Sequence, residues 1–200
     1  LDRYVVEGPL GEGGMAVVYR VRHERLGTVH ALKLLNRSHR DLTRRLLREG
    51  RLQGSVKHPN VVSVTDIVEV GGVPALVSEL VEGCDLAALI RQGPLPLSVV
   101  EAVGRQVLRA MAEAHAQGVI HRDLKPSNVL LTQGPEGLLA KVSDFGLAKA
   151  LQGPITGTPT QANMAMGTPG YMAPEQYRDA ARVGPPADVF SLGAMLYELL

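Results

Sequence analysis

Apolar residues in the first eighty positions come in short runs broken by glycine. Val5-Val6, Ala16 to Val21, His30 to Leu35, Val61 to Val70 and Pro74 to Leu80 each read as strands, because short β-branched runs bounded by turn formers suit a half-buried sheet. One stretch breaks this rhythm. From Asp41 to Lys57 the spacing is helical: Leu42, Leu46, Glu49 and Gln53 share a face, and Arg44, Arg45, Arg48 and Arg51 lie mostly away from it. Beyond a connector at Glu82 to Asp85 the pattern turns helical. Ser98 and Glu101 have capping-box spacing, Val100, Val103, Val107, Met111 and Ala114 recur at helical intervals, and Gly118 is placed to end the helix. Two short strands, Val129 to Leu131 and Ala140 to Val142, flank a Gly134-Pro135-Glu136-Gly137 turn. Residues 150–170 are rich in Gly, Pro, Thr and Ala without periodicity, which predicts a long loop. A final helical run, opened by Asp188, holds Val189, Leu192, Leu196 and Leu199. The expected fold is α+β and bilobal: a small antiparallel-sheet lobe with one helix over 1–81, then a larger, mostly helical lobe over 82–200.

Composition narrows the partners. The chain has 200 residues, 45% hydrophobic and 20% charged, enough for one domain with a substantial core. A formal net charge of +1 gives no field that would gather nucleic acid or an anionic membrane. The single cysteine, Cys84, excludes an internal disulfide framework and suits a reducing compartment. It is expected to be an ordinary buried or half-buried thiol. No apolar run approaches the roughly 18 residues of a spanning helix, and the N-terminus lacks a signal-peptide pattern. The expectation is a cytoplasmic segment without membrane contact of its own. The chain starts at Leu1 and stops at Leu200 inside an apolar run, as expected of a fragment whose larger lobe is incomplete and which alone is weak or inactive.

Four segments carry chemistry. Gly11-Glu12-Gly13-Gly14-Met15-Ala16-Val17-Val18 lies between strand-like runs, and glycines there let backbone N–H groups approach phosphate oxygens. Alone it serves equally as a hairpin turn, and the strand after it excludes a dinucleotide fingerprint. Lys33 sits in a strand pattern, where a lysine is usually a solvated edge residue. Glu49, however, falls on the apolar face of its helix and is the only Glu between Glu24 and Glu69. An inward carboxylate needs a partner, and Lys33 is the natural one. His121-Arg122-Asp123-Leu124-Lys125-Pro126-Ser127-Asn128 sets an acid, cations and an amide in one loop. Phosphoryl transfer needs that inventory: a carboxylate for the attacking hydroxyl, a cation for the moving group and an oxygen ligand for metal. Asp144 of Asp144-Phe145-Gly146 adds a second oxygen ligand, and two suit Mg2+, which keeps waters and phosphates in its shell.

In this order, with Ala173-Pro174-Glu175 and Asp188 to Gly193 following, the motifs resemble those of protein kinases over Tyr4 to Leu200. The string Asp-Leu-Lys-Pro-Ser-Asn resembles serine/threonine rather than tyrosine kinases, and Gly13-Gly14-Met15 and Pro174-Glu175-Gln176 resemble the bacterial branch. The resemblance implies γ-phosphoryl transfer from ATP, with Mg2+, to Ser/Thr hydroxyls of protein substrates. It implies that Leu10 to Val18 cover the phosphates, and that Lys33 contacts them while paired with Glu49. Asp123 would be the catalytic base, Lys125 would neutralise the transferred group, and Asn128 and Asp144 would hold Mg2+. Backbone groups of Glu79 and Val81 would meet adenine behind Ser78, Val18, Ala31 and Leu130 would sandwich the ring, and Asp85 would lie near the ribose. A kinase dimer for autophosphorylation is a further expectation. So is phosphate on Thr156, Thr158 or Thr160, with Thr160 favoured, gripped by Arg122, Arg45 and Lys149. Relatives of this kind often continue into a membrane span, so an anchor beyond residue 200 is compatible with the resemblance. The alternative is a nucleotide-binding pseudokinase scaffold, which would lack one of Lys33, Asp123, Asn128 or Asp144. Departures are Ala16 for a third glycine, Gln53 at a usually apolar position and Phe190 for a usual Trp.

Overall fold

The computed structural model describes residues 3–12, 16–36, 40–145, 169–179 and 183–200, with backbone alone at 40–45, 48–49, 169 and 178–179. Two compact units emerge: Leu1–Lys57 with Val62–Val81, and His58–Val61 with Glu82–Leu200.

The first unit is a five-stranded antiparallel sheet in the order β1-β2-β3-β5-β4. Its strands are β1 (Tyr4–Glu12), β2 (Ala16–His23), β3 (Val29–Leu35), β4 (Val64–Val70) and β5 (Val73–Glu79), and helix α1 (Arg40–Ser55) lies between β3 and β4 in sequence. Alternation along the strands makes two faces. Tyr4, Val21, Leu32, Ala75 and Val77 form the buried cluster on one, with Tyr19, Leu34, Val68 and Val70 packed around it. Leu76, on the other, meets α1. The approach is close: a Cβ on Gly50 would come within 2.5 Å of Leu76 Cδ2 and 3.5 Å of Ile67 Cδ1. Gln53, one turn on, is 5% exposed and donates from Nε2 to the Val62 carbonyl at 3.0 Å. The polar residue on the apolar face is therefore satisfied, and it fastens α1 to the chain entering β4.

The second unit holds β6 (Cys84–Asp85), α2 (Leu86–Ile90), α3 (Leu97–Ala116), a 3-10 turn (Pro126–Asn128), β7 (Val129–Gly134) and β8 (Gly137–Val142). A further 3-10 turn (Pro169–Tyr171), α4 (Pro174–Asp179) and α5 (Pro185–Leu199) follow. The small sheet has the order β6-β7-β8. Asn60 stitches it to α3: its Nδ2 donates to Gln106 Oε1 and to the Ala140 carbonyl, both at 2.8 Å. Gln106 also accepts from Ala140 N and donates to the Leu138 carbonyl.

Several expectations need correcting. Val61 is not in a strand that runs to Val70; β4 starts at Val64, and Val61 makes an isolated parallel bridge to Val142. Ser98 and Glu101 make no capping box, because α3 already starts at Leu97 after Pro96, without a side-chain cap. Glu101 pairs instead with Arg105 at 2.7 Å, one turn on. The connector at Glu82 to Asp85 contains β6 and leads into α2, which periodicity did not show because the helix has only five residues. The final helix opens at Pro185, not Asp188, since proline is well placed in a first turn. Cys84 is exposed, not buried, because it starts a two-residue strand at the edge of the small sheet.

Candidate active site

The loop from α3 to β7 is held from below by one buried carboxylate. Asp188, in the first turn of α5, is 1% exposed, and such a group must find donors. It has three: His121 N at 2.9 Å, Arg122 N at 2.7 Å and His115 Nε2 at 2.7 Å. Arg122 has φ 67, a left-handed conformation unusual for a residue with a side chain, and it turns the chain into Asp123.

His121 is fully buried and works at both ring nitrogens. Nδ1 accepts from Asp123 N at 3.3 Å, so the proton belongs on Nε2, which donates to the Ser143 carbonyl at 2.9 Å. Its ring packs on Phe145, centroid to centroid 4.7 Å. Asn128 makes the matching link from the other end of the loop. Its Nδ2 donates to the Asp123 carbonyl at 2.8 Å and to Asp123 Oδ2 at 3.3 Å, while its carbonyl accepts Ser143 N at 2.9 Å. Those donations fix the amide orientation and turn Oδ1 the other way. Lys125 Nζ lies 2.9 Å from Asp123 Oδ2. Both contacts to the Asp123 carboxylate thus fall on Oδ2.

Asp144 follows directly from Ser143, with φ 60. The β7–β8 ladder pairs Val129 with Val142 at its base and Gly134 with Gly137 at its tip. Asn128 and Asp144 therefore leave the same end of one hairpin. Among the described residues, no three His, Cys, Asp or Glu side chains gather as a metal group. Leu130 lies opposite Asp85 across β6–β7, and the Asp85 carboxylate caps α2 by accepting Ala88 N at 2.6 Å.

In the first unit, Lys33 lies opposite Val18 and Leu76, and Ala31 opposite Arg20 and Ser78. Val18, Ala31 and Lys33 thus share the sheet face that α1 covers at Leu76. Gly11 and Glu12 pair with Val18 and Val17, Leu10 is exposed, and Ala16 is buried at the head of β2. Glu79 exchanges two bonds with Ser63: its N–H donates to the Ser63 carbonyl at 2.9 Å, and Oε1 accepts Ser63 N at 2.8 Å. Val81, half-buried, is the last residue of this unit. Gly13, Gly14, Met15, Lys149, Thr156, Thr158 and Thr160 lie outside the described residues, as do the side chains of Arg45 and Glu49.

Sequence reasoning missed His115 and Ser143, and it gave Gln176 no role beyond its place in the Pro174-Glu175-Gln176 string. Gln176 is 5% exposed and donates from Nε2 to the Arg122 carbonyl at 2.8 Å. Nothing in periodicity marks a glutamine that bonds 54 positions away. Its place in the Pro174-Glu175-Gln176 string was the signal available.

Comparison with known proteins agrees with this geometry. The protein kinase domain family matches residues 4–200. The chain is 37% identical, over 99% of its length, to serine/threonine-protein kinase pkn2 of Myxococcus xanthus, of which it covers 24%. It is 36% identical to serine/threonine-protein kinase PkaA of Streptomyces coelicolor, covering all of this chain and 39% of that one. Against serine/threonine-protein kinase PknL of Mycobacterium tuberculosis the figures are 38%, 100% and 49%. The chain spans about a quarter to a half of the length of these relatives.

Proposed function

Since the chain belongs to the protein kinase family, we propose that it carries the nucleotide-binding and catalytic parts of an ATP-dependent serine/threonine protein kinase. The observation that carries this reading is the Asp123 carboxylate, held at Oδ2 by Lys125 and Asn128 and tied through Asn128 and His121 to Ser143, the residue before Asp144. Oδ1 of Asp123 takes the proton of an incoming Ser or Thr hydroxyl, orienting its oxygen for in-line attack. Lys125 offsets charge on the phosphoryl group as it moves.

The donor set fits a divalent cation. Asn128 Oδ1 and the Asp144 carboxylate are hard oxygen ligands at one hairpin end, and two protein ligands leave room for phosphates and water. Mg2+ held there would neutralise nucleotide phosphate charge. Lys33, on the face covered by α1, is the phosphate-contacting lysine, with Glu49 of α1 as its partner. Leu10 to Val18 cover the phosphates. Val18, Ala31 and Leu130 line the adenine position, and the Glu79 and Val81 backbone forms its polar edge. The Asp85 carboxylate, one oxygen of which caps α2, reaches the ribose with the other. Substrates are proteins with Ser/Thr acceptors, a second copy of the kinase among them. The names of the relatives support Ser/Thr over Tyr, as does Lys125. No helix among the described residues is long and apolar enough to cross a membrane.

The test is to give the full-length protein labelled ATP, Mg2+ and a generic basic protein, then analyse the phosphoamino acids. Phosphoserine or phosphothreonine is the expected product. Nucleotide binding without transfer would favour a scaffold.

A further inference from the structure

Gln176 satisfies both ends of a buried amide, and the two ends serve different segments. Oε1 accepts Ala173 N at 2.9 Å, where the side chain reaches back over the start of α4. Nε2 donates to the Arg122 carbonyl at 2.8 Å. That carbonyl belongs to the peptide joining Arg122 to Asp123, whose N–H donates to His121 Nδ1 at 3.3 Å. One peptide plane is therefore gripped at its oxygen by Gln176 and at its nitrogen by His121. The preceding residue needs such a grip. Arg122 sits at φ 67, and a side-chain-bearing residue stays there only when its surroundings hold it. Asp188 fixes the amide on the other side of Arg122, at 2.7 Å. A turn of the 122–123 peptide toward a relaxed conformation would break the Gln176 and His121 bonds together, and it would swing the Asp123 Cα–Cβ bond away.

We propose that Gln176 is a positioning residue for catalysis: it locks the 122–123 peptide and so aims Asp123, coupling the start of α4 to the catalytic loop. This rests on Asp123 being the base. An apolar side chain at this place could fill the space, but it could not hold the carbonyl.

Two variants of the full-length kinase test it beside Asp123→Asn. Gln176→Met keeps the volume and removes both bonds. It should lower kcat about tenfold or more with KM for ATP and nucleotide affinity unchanged. Gln176→Glu keeps the acceptor for Ala173 N and can donate to the Arg122 carbonyl only when protonated. At a position only 5% exposed, burial holds the new carboxyl above the usual carboxylate range, so its kcat relative to wild type should recover as pH falls from about 8 to about 5. The titratable groups that hold the same turn, His121 on the Asp123 amide and Asp188 with His115 on the Arg122 amide, are present in both proteins, so the ratio to wild type cancels their own titration. Should Gln176→Met fail to fold, the pH ratio of Gln176→Glu still decides. Wild-type kcat in Gln176→Met, loss of nucleotide binding together with kcat, or a pH-independent ratio for Gln176→Glu would each overturn the proposal. Wild-type turnover in Asp123→Asn would instead overturn the base assignment beneath it.

Discussion

Asp123 and Asp144 sit on opposite sides of Ser143 and Asn128 hydrogen bonds, and the two carboxylates should fail differently. Asp123→Asn removes the acceptor proposed as the base while keeping the shape that Asn128 and Lys125 pack against. In the full-length kinase its kcat should fall by about 10²–10⁴-fold with KM for ATP little altered. Asp144→Ala should instead weaken Mg2+-dependent nucleotide binding, measured by calorimetry with and without the metal. Equal defects in both would remove the distinction drawn between base and ligand. Cys84 gives a simpler check: being exposed, it should react with a thiol reagent in the native protein as fast as in the unfolded one. At this scale the site was legible where it is local. Asp123, Lys125 and Asn128 lie within six positions, so their grouping reads off as a string. Asp188 and Gln176 act on the loop from far along the chain, and His115, though near it in sequence, acts only through Asp188; nothing short of the fold brings them together.

Elements meet through close approaches that only small residues allow. A Cβ on Gly83 would stand 1.8 Å from the Leu131 carbonyl oxygen, a backbone atom of β7 that cannot step aside. Gly83→Ala should therefore unfold at markedly lower urea, with a cost of about 3 kcal/mol or more. The 2.5 Å clash predicted for Gly50→Ala involves the tip of Leu76, which can rotate. The helix-propensity gain of about 1 kcal/mol offsets part of that strain, so Gly50→Ala should cost far less than Gly83→Ala. A reversed order in urea melts would contradict this account of which neighbour yields. The long amphipathic runs were readable because period and burial agree: α3 buries Val100, Val103, Val107, Met111 and Ala114 at the positions the spacing implies. The starts of α3 and α5 were not readable, because Pro96 and Pro185 compete with polar caps for the first turn. Short β6 and α2 carry too few residues to show any period.

At the scale of the molecule, the metal proposed above has a role in phosphoryl transfer alone. The described residues contain no group of three or more His, Cys, Asp or Glu that could hold an ion structurally. Chelation should therefore stop phosphoryl transfer by the full-length enzyme while leaving its far-UV circular dichroism and nucleotide-free melting temperature unchanged. A large fall in melting temperature on chelation would point to a structural ion. The strand rhythm of the sequence gives way to helix rhythm near Val81, beside one boundary of the two units. What that rhythm concealed is that His58–Val61, well inside the strand-rich stretch, belongs to the second unit. Asn60 and Val61 are spoken for by Gln106, Ala140 and Val142. A protease that nicks the chain between Val81 and Glu82 would thus cut a covalent link without freeing a lobe. The shorter piece would stay threaded into the longer one by a four-residue tongue, running as one species on a native gel and as two in denaturant.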